Sequence, residues 1–218
     1  MKVGVDGVLL GAWTEINEAK NILDIGTGTG LIALMLAQRC QAQIEAIDID
    51  PNAISQAYEN AMNSPWHNRI TLKQIDVQQF SNTSLLKYDL IVSNPPYFIN
   101  STKTPEANRT VARHTDTLSH NDLLVCARKL ISPNGRLCLI LPVNEGTECV
   151  KLAENIGFHC SKMIRVFPKP DSIAKRLLLE FCLEKTETCE SELTIESNIR
   201  HQYSSEFTEI AKDYYLKL

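Results

Sequence analysis

The stretch that decides the fold is DIGTGTG, residues 24–30. It starts within the apolar run Asn21–Ile25, which predicts a strand, and it leads into Leu31–Arg39, whose apolar residues predict a helix. Glycines between a strand and a helix let the backbone turn sharply and let a ligand lie against bare N–H groups. Because many nucleotide-binding proteins share such a turn, the turn alone does not identify its ligand.

Strands and helices alternate beyond this turn. Further strands are expected at residues 43–49, 69–75, 88–93 and 135–141, and further helices at 51–62, 120–131 and 145–156. Two β-rich segments, 158–167 and 175–183, are separated only by a short proline-containing stretch, which predicts a hairpin. The pattern predicts an α/β fold, namely a Rossmann-like, mostly parallel seven-stranded sheet with helices on both faces and an antiparallel C-terminal hairpin at the edge.

The 218 residues suit one domain, because single cores stop growing only near about 250–300 residues. We expect a core at about 20–185, an acidic connector at 184–196 and a C-terminal tail at 197–218 with a short helix at 206–213. The net charge is −4, and the connector alone holds five acids against one lysine. The rest of the chain is therefore close to neutral, which allows local basic patches but does not indicate a broad polyanion-binding surface.

Hydropathy and cysteine usage indicate a soluble, cytoplasmic protein. No apolar run approaches the ~18 residues that span a bilayer, and the first residues lack the smooth apolar stretch of a secretory signal. The seven cysteines are odd in number and form no CxxC pair, so small buried thiols are favoured over a disulfide framework or a metal site. We expect no metal, no membrane and no obligate protein partner.

An acid stands at the end of each of the first three predicted strands. A carboxylate at Asp24, two residues before the first glycine, would repel a pyrophosphate but could accept a hydrogen bond from an ammonium group. Asp48 could accept from both ribose hydroxyls, and Asp76 could accept from an adenine amino group. Together they describe S-adenosyl-L-methionine rather than NAD. The alternative for each acid is a helix cap or a turn, which we prefer only for Asp50.

The chemistry is expected at NPPY, residues 94–97, which follows the fourth predicted strand at the same sheet edge. Pro95 and Pro96 stiffen the segment and remove two N–H donors, so that carbonyl oxygens are presented. The Asn94 Oδ1 atom and the Pro95 carbonyl could accept both hydrogens of an –NH2 group and aim its lone pair at a sulfonium methyl group. Tyr97 could stack on a target base, which must first leave its own stack. An ordinary turn is the alternative.

These motifs resemble a known group of enzymes. DIGTGTG, AIDID at 46–50, the strand before Asp76 and NPPY resemble the class I amino-methyltransferases over about residues 20–185. NPPY is shared by DNA adenine-N6, rRNA guanine-N2 and protein glutamine-N5 enzymes, so it indicates chemistry without a substrate. The opening MKVGVDGVLLGAW, NAMNSPW at 60–66 and YYLKL at 214–218 are similar to the bacterial tRNA1(Val) (adenine(37)-N6)-methyltransferase family, whose members usually carry more sequence before the first of these motifs and a threonine where Val5 stands.

This resemblance implies that S-adenosyl-L-methionine is the cofactor and that N6 of adenine 37, 3′ to the anticodon of a valine tRNA, is the methyl acceptor. The cofactor-binding residues that it implies, with their neighbours, are Asp24, Gly26, Thr27, Gly28, Gly30, Asp48, Ile49, Asp76 and Val77. The implied catalytic residues are Asn94, Pro95, Pro96 and Tyr97.

RNA contacts are expected in the long polar stretch after NPPY, which could close over the site or hold phosphates. The candidate substrate-binding residues are Tyr97, Phe98, Lys103, Arg109, Arg113 and His114, and a solvated loop is the alternative. Lys169, Lys175 and Arg176 near the hairpin form a second basic group, for which solvated side chains are preferred. Two other functions remain open. One is a protein glutamine-N5 methyltransferase, although such enzymes usually carry a helical N-terminal domain for which we expect no room; the other is a catalytically silent RNA-binding protein.

Overall fold

The computed structural model describes residues 4–96, 118–199 and 202–215. The strands are β1 (Asn21–Ile25), β2 (Gln43–Asp48), β3 (Ile70–Gln74), β4 (Tyr88–Ser93), β5 (Ile131–Pro142), β6 (His159–Phe167), β7 (Arg176–Cys182) and β8 (Cys189–Thr194). The helices are α1 (Val5–Trp13), α2 (Leu31–Arg39), α3 (Pro51–Met62), α4 (Val77–Thr83), α5 (His120–Leu130), α6 (Val143–Asn155) and α7 (Ser205–Ala211), with a 3-10 turn at His67–Arg69.

The strands form one sheet in the order β3-β2-β1-β4-β5-β7-β6-β8. Neighbouring strands from β3 to β5 are parallel, and β7 is antiparallel to both β5 and β6. The predicted Rossmann-like α/β fold and the predicted hairpin are therefore confirmed. Because parallel strands end at one edge of a sheet, the segments that follow β1, β2, β3 and β4 lie together, as ligand-binding segments do in such folds.

The sheet differs from the prediction at one side. The described residues form eight strands rather than seven, and the hairpin is not at the edge, because β8 pairs parallel to β6 beyond it. This edge strand comes from the acidic segment 184–196, which was expected to be a solvated connector. Its Glu190 and Glu192 side chains are exposed, and only Leu193 is buried. Charged residues on an edge strand are common, since they hinder pairing with another chain, and here they masked the strand pattern.

Two apolar clusters cover the two faces of the sheet. One packs β-strand side chains against α1, α2 and α7, and the other packs them against α4, α5 and α6. Residues of β1 alternate between them, with Ile22 in the first and Leu23 in the second. Trp13 and Trp66 pack against the first cluster, as expected. Within the described ranges no helix is long and apolar enough to cross a membrane.

Helix α1 was not predicted, because Gly7 and Gly11 make its sequence a poor helix former. The structure explains both glycines. A Cβ atom on Gly7 would lie 3.2 Å from the Leu31 side chain, and one on Gly11 would lie 2.8 Å from the Met35 Sδ atom. The glycines allow α1 to pack closely on α2, directly beside the glycine turn.

Candidate active site

The glycine turn between β1 and α2 has three glycines with positive φ angles. Gly26, Gly28 and Gly30 have φ values of 70°, 57° and 82°, a region that residues with a Cβ atom rarely adopt. The N–H groups of Gly26 and Thr27 donate to the Ile47 carbonyl at 2.9 and 3.0 Å. The turn is therefore fastened to the adjacent strand β2 and presents a pre-shaped backbone.

Asp24 is fully buried beneath this turn. Its Oδ2 atom accepts a 2.6 Å hydrogen bond from the Thr27 hydroxyl, whereas Oδ1 has no hydrogen-bond partner among the described residues. Burial raises the pKa of the Asp24 carboxyl to about 7, an effect that the Thr27 hydrogen bond opposes. A buried carboxyl oxygen without a partner is costly, so this site suits a ligand with a cationic donor.

Asp48 lies at the end of β2 and holds the turn from the other side. Its Oδ2 atom accepts from the Gly28 N–H at 2.8 Å, and its Oδ1 atom accepts from the Asp50 N–H at 3.0 Å. Because each carboxylate oxygen can accept two hydrogen bonds, both oxygens can still accept ribose hydroxyls. The next residue, Ile49, is 65% exposed and offers an apolar surface at the same rim.

Asp76 and Asp50 both cap helices. The Asp76 Oδ1 atom accepts from the backbone N–H groups of Gln78 and Gln79 at 2.6 and 3.2 Å, which caps α4. Asp50 accepts from the Asn52 N–H and caps α3, as predicted. In Asp76 the capping oxygen is Oδ1, so its Oδ2 atom can accept from an adenine amino group. Val77, the first residue of α4, is buried.

The segment after β4 begins beside the glycine turn. The Ser93 hydroxyl donates a 2.8 Å hydrogen bond to the carbonyl of Ile25, its register partner in β1. Asn94 is therefore adjacent to Gly26 at the rim. Asn94 is partly buried, Pro95 is buried and Pro96 is exposed. This places the predicted acceptor residues and the predicted cofactor turn at one edge of the sheet.

Several expected residues lie outside the described ranges. These are Tyr97, Phe98, Lys103, Arg109, Arg113 and His114. Their predicted roles in stacking and phosphate contact stay predictions.

Two side chains that support the site were not singled out from the sequence. Ser93 links the ends of β4 and β1, and the Asn60 amide donates from α3 to the Thr29 carbonyl at 2.9 Å. Each is a polar residue beside a motif, at the end of a strand or on the helix facing the turn. That position is the only signal the sequence carries for them, and it does not reveal the partner.

The remaining polar features of the described residues lie elsewhere. Two surface depressions, of about 460 and 530 Å3, are lined by residues around the starts of β5 and β1. They lie at the opposite edge of the sheet from Asn94. No group of three or more metal-ligating side chains occurs within residues 4–96, 118–199 and 202–215.

Comparison with known proteins identifies relatives along the full length of the chain. The family model described as methyltransferase small domain matches residues 7–159. The tRNA1(Val) (adenine(37)-N6)-methyltransferase of Parabacteroides distasonis is 51% identical over 221 residues, which cover 100% of this chain and 92% of the relative. A protein of the same name from Trichodesmium erythraeum is 46% identical over 220 residues, with 100% and 92% covered.

Solved structures share the fold. An O-methyltransferase from Agrobacterium tumefaciens superposes with a TM-score of 0.77 and 17% identity, covering 95% of this chain and 96% of its own. A ribosomal protein L11 methylase from Lactobacillus delbrueckii superposes with a TM-score of 0.60 and 16% identity, covering 82% and 77%. At these identities the likeness concerns the fold alone.

Proposed function

Because this chain belongs to the family of tRNA1(Val) (adenine(37)-N6)-methyltransferases, we propose that it transfers a methyl group from S-adenosyl-L-methionine to N6 of adenine 37 in tRNA1(Val). The proposal includes the cytoplasm as the compartment, where a tRNA substrate is available. The observation that carries it is the position of Asn94 beside the glycine turn, fixed by the hydrogen bond from Ser93 to Ile25.

The cofactor half of the rim fits S-adenosyl-L-methionine. The Asp24 Oδ1 atom, buried and without a partner among the described residues, would accept from the ligand's ammonium group. Asp48 would accept from the ribose hydroxyls, with Ile49 beside the adenine and Asp76 Oδ2 near its amino group. The bare backbone of Gly26 and its neighbours would contact the amino-acid moiety. When bound, the cofactor supplies an electrophilic methyl group on a sulfonium.

The acceptor half of the rim prepares a poor nucleophile. The lone pair of an adenine N6 amine is delocalised into the ring. Hydrogen bonds from its two hydrogens to Asn94 Oδ1 and the Pro95 carbonyl would draw the nitrogen towards a tetrahedral geometry and aim the lone pair. The chain therefore contributes orientation and electrostatics rather than a strong base. Asn94 cannot take up a proton near neutral pH, so the surplus proton leaves to water after transfer.

Labelled cofactor tests the substrate. The protein is incubated with methyl-labelled S-adenosyl-L-methionine and either unmodified tRNA1(Val) or a peptide release factor, and the tRNA is digested to nucleosides for mass analysis. We expect label in tRNA as N6-methyladenosine at position 37. Label confined to the release factor would indicate a glutamine-N5 methyltransferase, and tRNA binding without any transfer would indicate a silent RNA-binding protein.

Substitution of Asn94 tests the chemistry. Asn94→Ala should lower kcat by roughly 100-fold or more, the loss expected for one pre-positioned hydrogen-bonding group, while cofactor affinity stays within a few-fold. Asn134→Ala, at an exposed asparagine on the opposite sheet edge, is the matched control and should retain turnover. Unchanged turnover in Asn94→Ala would refute the role assigned to this amide.

A further inference from the structure

We propose that the β6–β7 hairpin, residues 168–176, contacts tRNA phosphates through Lys169 and Lys175 while the target adenine is held at Asn94. This inference rests on the proposed function, because it assigns part of the surface that the tRNA substrate covers. It also revises the expectation that these side chains are only solvated.

The hairpin lies at the same sheet edge as the active site. Arg176, the first residue of β7, pairs with Pro142, the last residue of β5, and β5 is the strand next to β4. Neighbouring strands are about 4.8 Å apart, so β7 and β6 lie roughly 10 and 14 Å from the strand that Asn94 follows. Nucleotides that flank a base at Asn94 can therefore reach the hairpin.

Charge along this edge favours one side for a polyanion. In the described segments that follow β1, β2 and β3, the charged side chains are acids, including Asp48, Asp50 and Asp76. The basic side chains of the described loops at this edge are all in the hairpin, where they face a single acid, Asp171. A phosphate backbone is repelled on the cofactor side and is accepted on the β5–β7–β6 side.

The two lysines are available to an external anion. Both are exposed, and Lys175 forms no ion pair within the part of the chain that the structure describes. Lys169 is paired with Glu196 at 3.5 Å, with 64% of its side chain exposed, a pair that a phosphate can replace at little cost. Arg176 is instead bonded to Asp6 at 2.8 Å. The lysines are therefore the hairpin cations from which phosphate contact is expected.

The hairpin loop is held in one shape. The Ser172 hydroxyl donates to the Lys169 carbonyl at 2.6 Å, and the Lys175 N–H donates to the Val166 carbonyl at 2.8 Å. Asp171 has a φ of 57°, a conformation that Asp tolerates in tight turns. A rigid loop loses less conformational entropy when it binds, so that it can contribute to affinity.

Salt-dependent binding tests the proposal. The double variant Lys169→Ala/Lys175→Ala is compared with wild type for tRNA1(Val) binding over a range of salt concentrations. Each lost phosphate contact flattens the slope of log K against log salt by about 0.7–0.9, so we expect a slope flatter by roughly 1.4–1.8 and a raised KM for tRNA. Cofactor affinity, kcat at saturating tRNA and melting temperature should stay near wild type.

Lys185→Ala is the matched control. Lys185 is an exposed lysine just beyond the far end of β7, at the opposite sheet edge, and its removal should leave the slope unchanged. If wild type methylates the tRNA but the double variant keeps the wild-type slope and KM, the hairpin proposal is wrong and the proposed function stands. If wild type forms no N6-methyladenosine, the proposed function itself fails.

Discussion

The Ser93 hydroxyl donates a 2.8 Å hydrogen bond to the Ile25 carbonyl, which ties the last residue of β4 to the last residue of β1. Both residues are buried and are partners in the strand register. The loops that follow, one starting at Asn94 and the other at Gly26, therefore leave the sheet side by side. This contact aligns the proposed acceptor residues with the proposed cofactor turn.

Ser93→Ala should impair transfer more than stability. The variant loses one buried hydrogen bond and leaves the Ile25 carbonyl without its partner, which costs about 1–3 kcal/mol. Because Asn94 then loses its alignment, we expect kcat to fall while cofactor affinity changes little. Ser81→Ala removes a similar buried hydroxyl, which donates to Gln78 in α4 away from the rim, and should keep wild-type kcat. Equal kcat in the two variants would contradict the alignment role.

Asp24 predicts a pH-dependent affinity for the cofactor. Its carboxyl must be ionised to bind an ammonium group, and burial raises its pKa to about 7. The affinity for S-adenosyl-L-methionine should therefore increase up to tenfold per pH unit between pH 5 and 7 and level off above. Calorimetric titration across this range measures it. Asp24→Asn should bind weakly with no such dependence, and a parallel pH profile in the variant would count against the assignment.

The same carboxyl affects stability with the opposite sign. Its folded pKa of about 7 is above the unfolded value near 3.8, so the folded state binds more protons between these values. The free energy of unfolding of the ligand-free protein should therefore fall as pH rises from 4 to 7, by up to roughly 4 kcal/mol. Denaturant titrations of wild type and Asp24→Asn check this, because the variant should lack that part of the decline.

Gly30→Ala should destabilise the turn by strain and by contact. The residue has a φ of 82°, and an added Cβ atom would lie 3.3 Å from the Ala57 Cβ atom in α3. Left-handed backbone alone costs about 1–2 kcal/mol, so we expect Tm to fall by roughly 2–8 °C and cofactor binding to weaken. Gly26→Ala has a φ of 70° but no atom within 4 Å, and should separate the strain from the contact. Gly4→Ala, with neither, should leave Tm unchanged.

Arg136→Ala should destabilise the sheet far from the active site. Arg136 bonds Glu180 at 2.8 Å, and the two side chains are only 16% and 5% exposed. Removal leaves a buried carboxylate, which costs roughly 3–5 kcal/mol, with the lower end expected because Lys162 lies 4.0 Å away. Arg165→Ala breaks an exposed pair with Glu190 and should cost less than about 1 kcal/mol. Urea unfolding of both variants compares them, and similar losses would rule out the buried pair as the stronger one.

Local patterns predicted most of the fold. The limits of β1, α2, α3 and β4 agree with the sequence prediction, because apolar periodicity and flanking glycine or proline act over a few residues. Helix α1 and strand β8 did not follow from such patterns. In α1 the glycines are explained by contact with α2, and in β8 the charges are explained by an edge position.

The chemical classes of the site residues were readable in order along the chain: a glycine turn, three acids at strand ends and an acceptor pair at residues 94 and 95. Their mutual geometry was not, because hydrogen bonds such as that from Ser93 to Ile25 join residues 68 positions apart, and no local pattern encodes such a distance. Asp76 makes the same point, since a carboxylate at a strand end can cap a helix with one oxygen and face a ligand with the other. Only packing of the strands into register determines which atoms meet.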